Sequence, residues 1–183
     1  MKLAKRLTLA TGSLAVACTA LLTSAAASQA TAQHPASASA IVPPELKVPA
    51  GNNPVAVLGA KGVQTYTCTD GAWKFLEPAA TLWNKHDAWK RTVALHSRGP
   101  VWVSTVDGSA VNATVVASVA RKDAVPELLL KASATRGDGV FGKVSYVQRL
   151  QTQGGLAPTG TCTGTAQIGV PYSATYVFYA PTQ

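Results

Sequence analysis

From Val55 to Tyr179 the chain is written in short apolar runs of period two, cut repeatedly by Asp-Gly, Gly-Gly or Pro. Side chains two apart share one face of a strand, whereas a helix repeats every 3.6 residues. Val111, Ala113, Val115, Ala117 and Val119 keep that alternation, and so do Tyr172, Ala174, Tyr176 and Phe178. Asp70-Gly71 and Asp107-Gly108 are hairpin signals. The pattern predicts strands over 55–60, 63–68, 73–76, 101–106, 111–119, 128–132, 140–150 and 172–179. In 140–150, Val144, Tyr146 and Leu150 fall on one side, opposite Lys143, Ser145 and Arg149. Residues 78–90 read as irregular, with one helical turn near 79–83 and then a loop. The expected fold is all-β, a single-domain sandwich or barrel of about eight short antiparallel strands.

The N-terminus has a different grammar. Lys2, Lys5 and Arg6 precede an uncharged apolar stretch from Leu7 to Leu22, and small residues follow as far as Ala30-Thr31-Ala32. A basic segment, an apolar segment and an A-x-A site make a secretory signal peptide, expected over 1–32. Its apolar run is shorter than the ~20 residues of a membrane-spanning helix, so no stable membrane span is expected. A single membrane-spanning helix is the competing reading, and a lipoprotein modified at Cys18 is a third. Residues 33–42 read as a disordered lead-in, with His34 inside it, and 43–181 as one domain. Cys18 leaves with the signal. Cys68 and Cys162 remain, and in an oxidising compartment they are expected to form one disulfide. The expected location is secreted, extracellular or associated with the cell surface.

The 183 residues carry a formal net charge of +8, and three of the basic residues lie in the signal. The remaining charges are scattered, with Lys90-Arg91 and Arg121-Lys122 the only adjacent basic pairs. Nucleic-acid footprints cluster basic and aromatic residues on one face, so no nucleic-acid partner is expected. A weak attraction to anionic cell-surface polymers fits the charge better.

Several segments together resemble a known family. They are KGVQTYTC (61–68), HSRGPVW (96–102), DGS (107–109), PELLLKA (126–132), GVF (139–141), VSYVQRL (144–150), GGLAP (154–158), Cys162, VPY (170–172) and YVFY (176–179). In order and spacing they are similar to the secreted bacterial and fungal family catalogued as domain of unknown function 3455, over 43–181. The resemblance implies a secreted, β-rich single domain and assigns no activity. Two places depart from the family pattern. Residues 84–95 are richer in His, Trp and Lys, and Glu127 stands where an aromatic is common.

Motifs for specific chemistry are weak. Gly137 to Gly142 spells G-x-G-x-x-G, but strand periodicity follows it where a dinucleotide fold needs a helix. It reads as a turn between strands, and no cofactor is expected. Of five Asp, Asp70, Asp107 and Asp138 precede Gly and are explained by turn chemistry. His96 and Asp107 are the weak catalytic candidates for a hydrolase. His86, Asp87 and His96 are the weak metal-ligand candidates, although no ligand spacing supports them. A Ser-His-Asp set lacks a G-x-S-x-G elbow. The aromatic residues are more suggestive: Trp73, Trp83, Trp89 and Trp102 crowd into one stretch. Trp83 and Trp89, in the irregular segment, are the better candidates for exposure, and core packing is favoured for Trp73 and Trp102.

The reading that follows is a non-catalytic extracellular binding domain, expected as a monomer. It would take a polymer, a small ligand or another protein through Trp83, Trp89, His96 and Trp102. The alternative is a secreted hydrolase or metal-dependent enzyme acting on carbohydrate or ester.

Overall fold

The alternating segments roll into one antiparallel sheet that closes on itself. The computed structural model describes residues 42–182. The expected signal peptide, Cys18, His34 and the lead-in up to residue 41 lie outside them. A 3-10 turn, Pro44–Leu46, precedes eight strands: β1 Asn52–Thr69, β2 Ala72–Asn84, β3 Thr92–Ser97, β4 Val101–Ser104, β5 Ala110–Arg121, β6 Ala124–Arg136, β7 Tyr146–Gly154 and β8 Gln167–Pro181. Each strand pairs with the next, and β8 pairs with β1, giving a closed up-and-down barrel. Closure leaves no free sheet edge. Among the described residues no helix is long and apolar enough to cross a membrane.

Eight strands were expected, but not these eight. The runs 55–60 and 63–68 are one strand, because β1 continues through Lys61-Gly62. Gly62 stays in it because a side chain there would run into the backbone of Ala79 and Ala80 on β2. The helical turn expected near 79–83 is strand, since Ala79 to Trp83 pair with Gly59 to Val63 in register. β3 is the strand the sequence pattern did not announce. Residues 140–145 are loop, and β7 starts at Tyr146.

Two faces are inverted relative to a simple alternation. In β5 the register shifts between Val115 and Ala117. A bulge moves every later side chain to the other face. Val111 and Ala113 point into the barrel, whereas Ala117 and Val119 pack on a second, outer cluster. In β7, Val147 faces the interior, whereas Tyr146 and Leu150 face outward. Their outward face is apolar because the chain before β1 lies across it. Leu46 is fully buried there against Leu129 and Leu150, with Val42 and Val48 beside it. Gln148 Nε2 donates to the Leu46 carbonyl at 2.6 Å and holds this strap in place.

The interior is filled unequally. Loop 137–145, between β6 and β7, folds Phe141 and Val144 into one end of the barrel, both buried. Phe141 meets Phe178 at 4.5 Å between ring centroids, and Trp102 meets Phe178 edge-on at 5.8 Å. Asp107 pins the plug. Its Oδ1 accepts from the Ser109 backbone N and Oγ at 2.9 and 2.6 Å, and its Oδ2 from the Val140 backbone N at 2.9 Å. A side chain on Gly139 would occupy the place of the Asp107 carboxylate, and one on Gly142 would meet the Gly137 carbonyl. The G-x-G-x-x-G spacing therefore serves this close packing.

Candidate functional site

An eight-stranded barrel has an interior just wide enough to be filled by side chains or to hold one small ligand. Here the plugged end is filled, and the opposite end opens into a cavity of about 570 Å³. The open end is framed by the β1–β2, β3–β4, β5–β6 and β7–β8 connections. Its floor is aromatic. The His96 and Trp102 rings stack at 4.4 Å, and Tyr176 meets both edge-on at 5.4 Å. Leu128, Leu130, Val125 and Pro78 make apolar walls. Phe75 and Val115, each more than half exposed, stand at the mouth.

The polar groups in this cavity are few. His96 Nδ1 lies 2.9 Å from the Val101 carbonyl. A carbonyl only accepts, so Nδ1 carries the proton and Nε2 is left as an acceptor. Burial lowers the His96 pKa to about 4, opposed by the Val101 hydrogen bond and aided by the charge of Arg149. The ring is therefore neutral at neutral pH. The Tyr172 and Tyr176 hydroxyls lie 3.4 Å apart, and burial pushes both upward, so both stay protonated. Tyr66 donates to the Gly155 carbonyl at 2.5 Å and ties the β7–β8 loop to the cavity wall.

Arg149 is the cation in the wall. The pairing of β6 with β7 is interrupted between Ala124 and Leu128. Arg149 Nε and Nη2 both donate to the Pro126 carbonyl there, at 3.0 and 2.8 Å. The ion pairs among the described residues are Arg91–Asp87, Arg98–Glu77 and Arg121–Glu127. Arg149 is in none of them, and no Asp or Glu lines the cavity. Two buried donors in the lining, Gln64 Nε2 and Trp102 Nε1, have no hydrogen-bond partner.

The barrel sorts the residues singled out from the sequence into different places. His96 and Trp102 come together in the cavity floor. Asp107 sits on the β4–β5 turn at the plugged end, so His96 and Asp107 share no cleft. His86, Asp87 and Trp89 lie on the β2–β3 loop, also at that end. Trp89 is 84% exposed there, and Asp87 is held by Arg91 at 2.9 Å, which lowers its pKa to about 2. Among the described residues no three His, Cys, Asp or Glu side chains converge on a metal-sized site. Trp83 lies on β2, over Gly59, where a side chain would strike the indole, and Lys90 Nζ stands 5.5 Å above the ring. Trp73 pairs with Cys68 beside the disulfide. Cys68 and Cys162 are bonded, joining the end of β1 to the β7–β8 loop.

The sequence reading passed over Gln64, Tyr66, Arg149 and Tyr176 as site residues. One signal was available for Arg149, the single charge in the strand Tyr146–Gly154.

The sequence model of the family described as "Protein of unknown function (DUF3455)" matches residues 49–180. The chain belongs to the DUF3455 family. The match covers every strand of the barrel except the last residue of β8, Pro181. No curated protein and no solved structure matches the chain. In this DUF3455 member the geometry of the barrel itself bears on function.

Proposed function

We propose that this is a secreted binding protein whose barrel takes up one small, largely apolar molecule through its open end. The observation that carries the reading is the cavity of about 570 Å³, aromatic at its floor and aliphatic on its walls. Ligand sites of ~300–1,000 Å³ that combine apolar walls with a few placed polar groups are the common form of small-molecule pocket. The signal-like N-terminus and the disulfide support secretion. Within the earlier set of candidates, His96 and Trp102 belong to this site. The hydrolase alternative gains no support, because His96 is neutral, stacked and apart from Asp107.

The test is titration of the mature protein with N-phenyl-1-naphthylamine, a neutral apolar dye that brightens on leaving water. Saturable binding of one dye per chain is expected. Val115→Trp, which fills the exposed mouth without touching the packed end, should weaken it. No saturable binding, or binding indifferent to Val115→Trp, would overturn the reading.

A further inference from the structure

We infer that the cavity recognises an amphipathic carboxylate, with Arg149 receiving the head group and the aromatic floor and aliphatic walls receiving the tail. This inference rests on the binding reading above and names the ligand class.

Three features, two of Arg149 and one of Gln64, point to an anion. The first is the charge of the wall. A guanidinium is always protonated and is costly to hold in an apolar setting without a counter-charge. Arg149 lines the cavity with no acidic side chain paired to it. Arg98, at the mouth, already has Glu77 at 3.3 Å. The second is the donor surplus. Two N–H groups of Arg149 go to the Pro126 carbonyl. A guanidinium has five, so up to three remain for the cavity and for the Tyr176 hydroxyl beside it. The third is Gln64, which is 2% exposed: its Nε2 faces the Tyr172 hydroxyl but has no partner of good hydrogen-bond geometry. Buried donors are nearly always satisfied. A ligand acceptor at this spot would satisfy Gln64 and Arg149 together.

The head is a monoanion, because one unpaired cation faces the cavity and a second negative charge would be buried without a partner. Among monoanions, a planar carboxylate matches the two parallel N–H groups at the far end of the guanidinium. The tail is apolar, since the wall of Pro78, Val125, Leu128 and Leu130 offers no side-chain group to hydrogen-bond it. At ~30 Å³ per water-sized group, 570 Å³ admits a molecule of roughly 15–20 non-hydrogen atoms.

A bland role for Arg149 competes with this: it answers the Pro126 carbonyl and does no more. The experiment separates the two. Decanoate, decanol and decyltrimethylammonium, each below its micelle concentration, compete with N-phenyl-1-naphthylamine on the wild-type protein. Decanoate should displace the dye at a concentration roughly tenfold or more below that of decanol, and the ammonium should be the weakest. In Arg149→Gln the preference for decanoate over decanol should fall to about twofold or less, with the dye and decanol still bound. Gln64→Leu should reduce the preference without removing it, and it serves alone if Arg149→Gln does not fold. Equal displacement by decanoate and decanol, or an unchanged preference in Arg149→Gln or in Gln64→Leu, would overturn the carboxylate while leaving the binding reading standing. Failure of the dye and all three competitors to bind would overturn both.

Discussion

The imidazole of His96 lies flat on the indole of Trp102, with ring centroids 4.4 Å apart and planes within 1° of parallel. The stack forms because β3 and β4 place the two residues directly opposite each other, both facing inward. It also makes His96 an acid-sensitive point. Burial is the main cause that lowers its pKa, to about 4, against an unfolded value of ~6.5. The unfolded chain therefore takes up this proton first as pH falls. Stability from neutral His96 is fully present above pH ~6.5 and is lost progressively between ~6.5 and ~4, about 3 kcal/mol in all. Urea midpoints measured across that range should show the decline. His96→Phe keeps a ring on Trp102 but cannot titrate. It should be less stable at pH 7, with the Val101 carbonyl unanswered, and should show a flatter pH profile. An equal slope in both proteins would rule out His96 as the source.

Gly155 carries φ = +80°, and a methyl there would come within 2.8 Å of Tyr172 Cβ and 2.9 Å of Gln64 Cγ. Neither neighbour can step aside, since both atoms lie close to the backbone of interior strands. Gly155→Ala combines a left-handed backbone with overpacking, and about 2–4 kcal/mol should be lost. Denaturant unfolding would measure it. Gly160→Ala is the control: its φ is +93° but nothing lies within 4 Å. Its loss should be smaller, from the backbone alone.

The chain's own pattern made the all-β class, the Cys68–Cys162 bridge and the β8 face legible, because in each case local sequence and tertiary structure agree. The failures have physical causes. Ala117 and Val119 continue the alternation of β5 in sequence, but a bulge after Val115 turns them outward. Tyr146 and Leu150 look like core residues because the strap at Leu46 buries the outside of β7 as well. Arg149 then reads as a solvent-facing charge when it lines the cavity. Nothing within a strand announces an element packed on it from far along the chain. The site was half legible for the same reason. His96 and Trp102 stand out by residue type, whereas Gln64 and Arg149 matter only because closure of the barrel brings β1 and β7 to one interior.

The Cys68–Cys162 disulfide closes a long loop, with a sequence separation of 94. It fastens the β7–β8 loop at the open end, assisted by hydrogen bonds from Cys162 N to the Gly71 carbonyl and from Cys68 N to the Ala166 carbonyl. In the chain-entropy model a loop of this size is worth on the order of 4–5 kcal/mol. Cys68→Ser with Cys162→Ser should lower unfolding stability by that order. Amide exchange should accelerate first in residues 155–166, with the strands protected until global unfolding. Acceleration confined to residues 155–166, with the unfolding midpoint unmoved, would show that the bridge acts on the loop alone and does not stabilise the barrel as a whole.

Leu46 tests whether the strap is part of the fold or only lies on it. It is 0% exposed although it precedes the first strand, and it fills a niche made by Leu129 and Leu150 on the outer face of β6 and β7. Truncating a fully buried leucine costs about 2–5 kcal/mol, depending on how far the site collapses. Leu46→Ala should fall in that range if the strap folds with the barrel as one unit. If the strap peels away on its own, the loss is capped at the free energy of docking it. The unfolding midpoint would then move little, while amide exchange at the strap rises. Gln148→Leu removes the 2.6 Å bond to the Leu46 carbonyl, together with the 2.9 Å bond that Gln148 Oε1 accepts from the Tyr179 hydroxyl, and keeps the outer face apolar; it should raise strap exchange in the same way. Measuring midpoint and exchange on both variants distinguishes a cooperative eight-stranded unit with its strap from a barrel that folds without it.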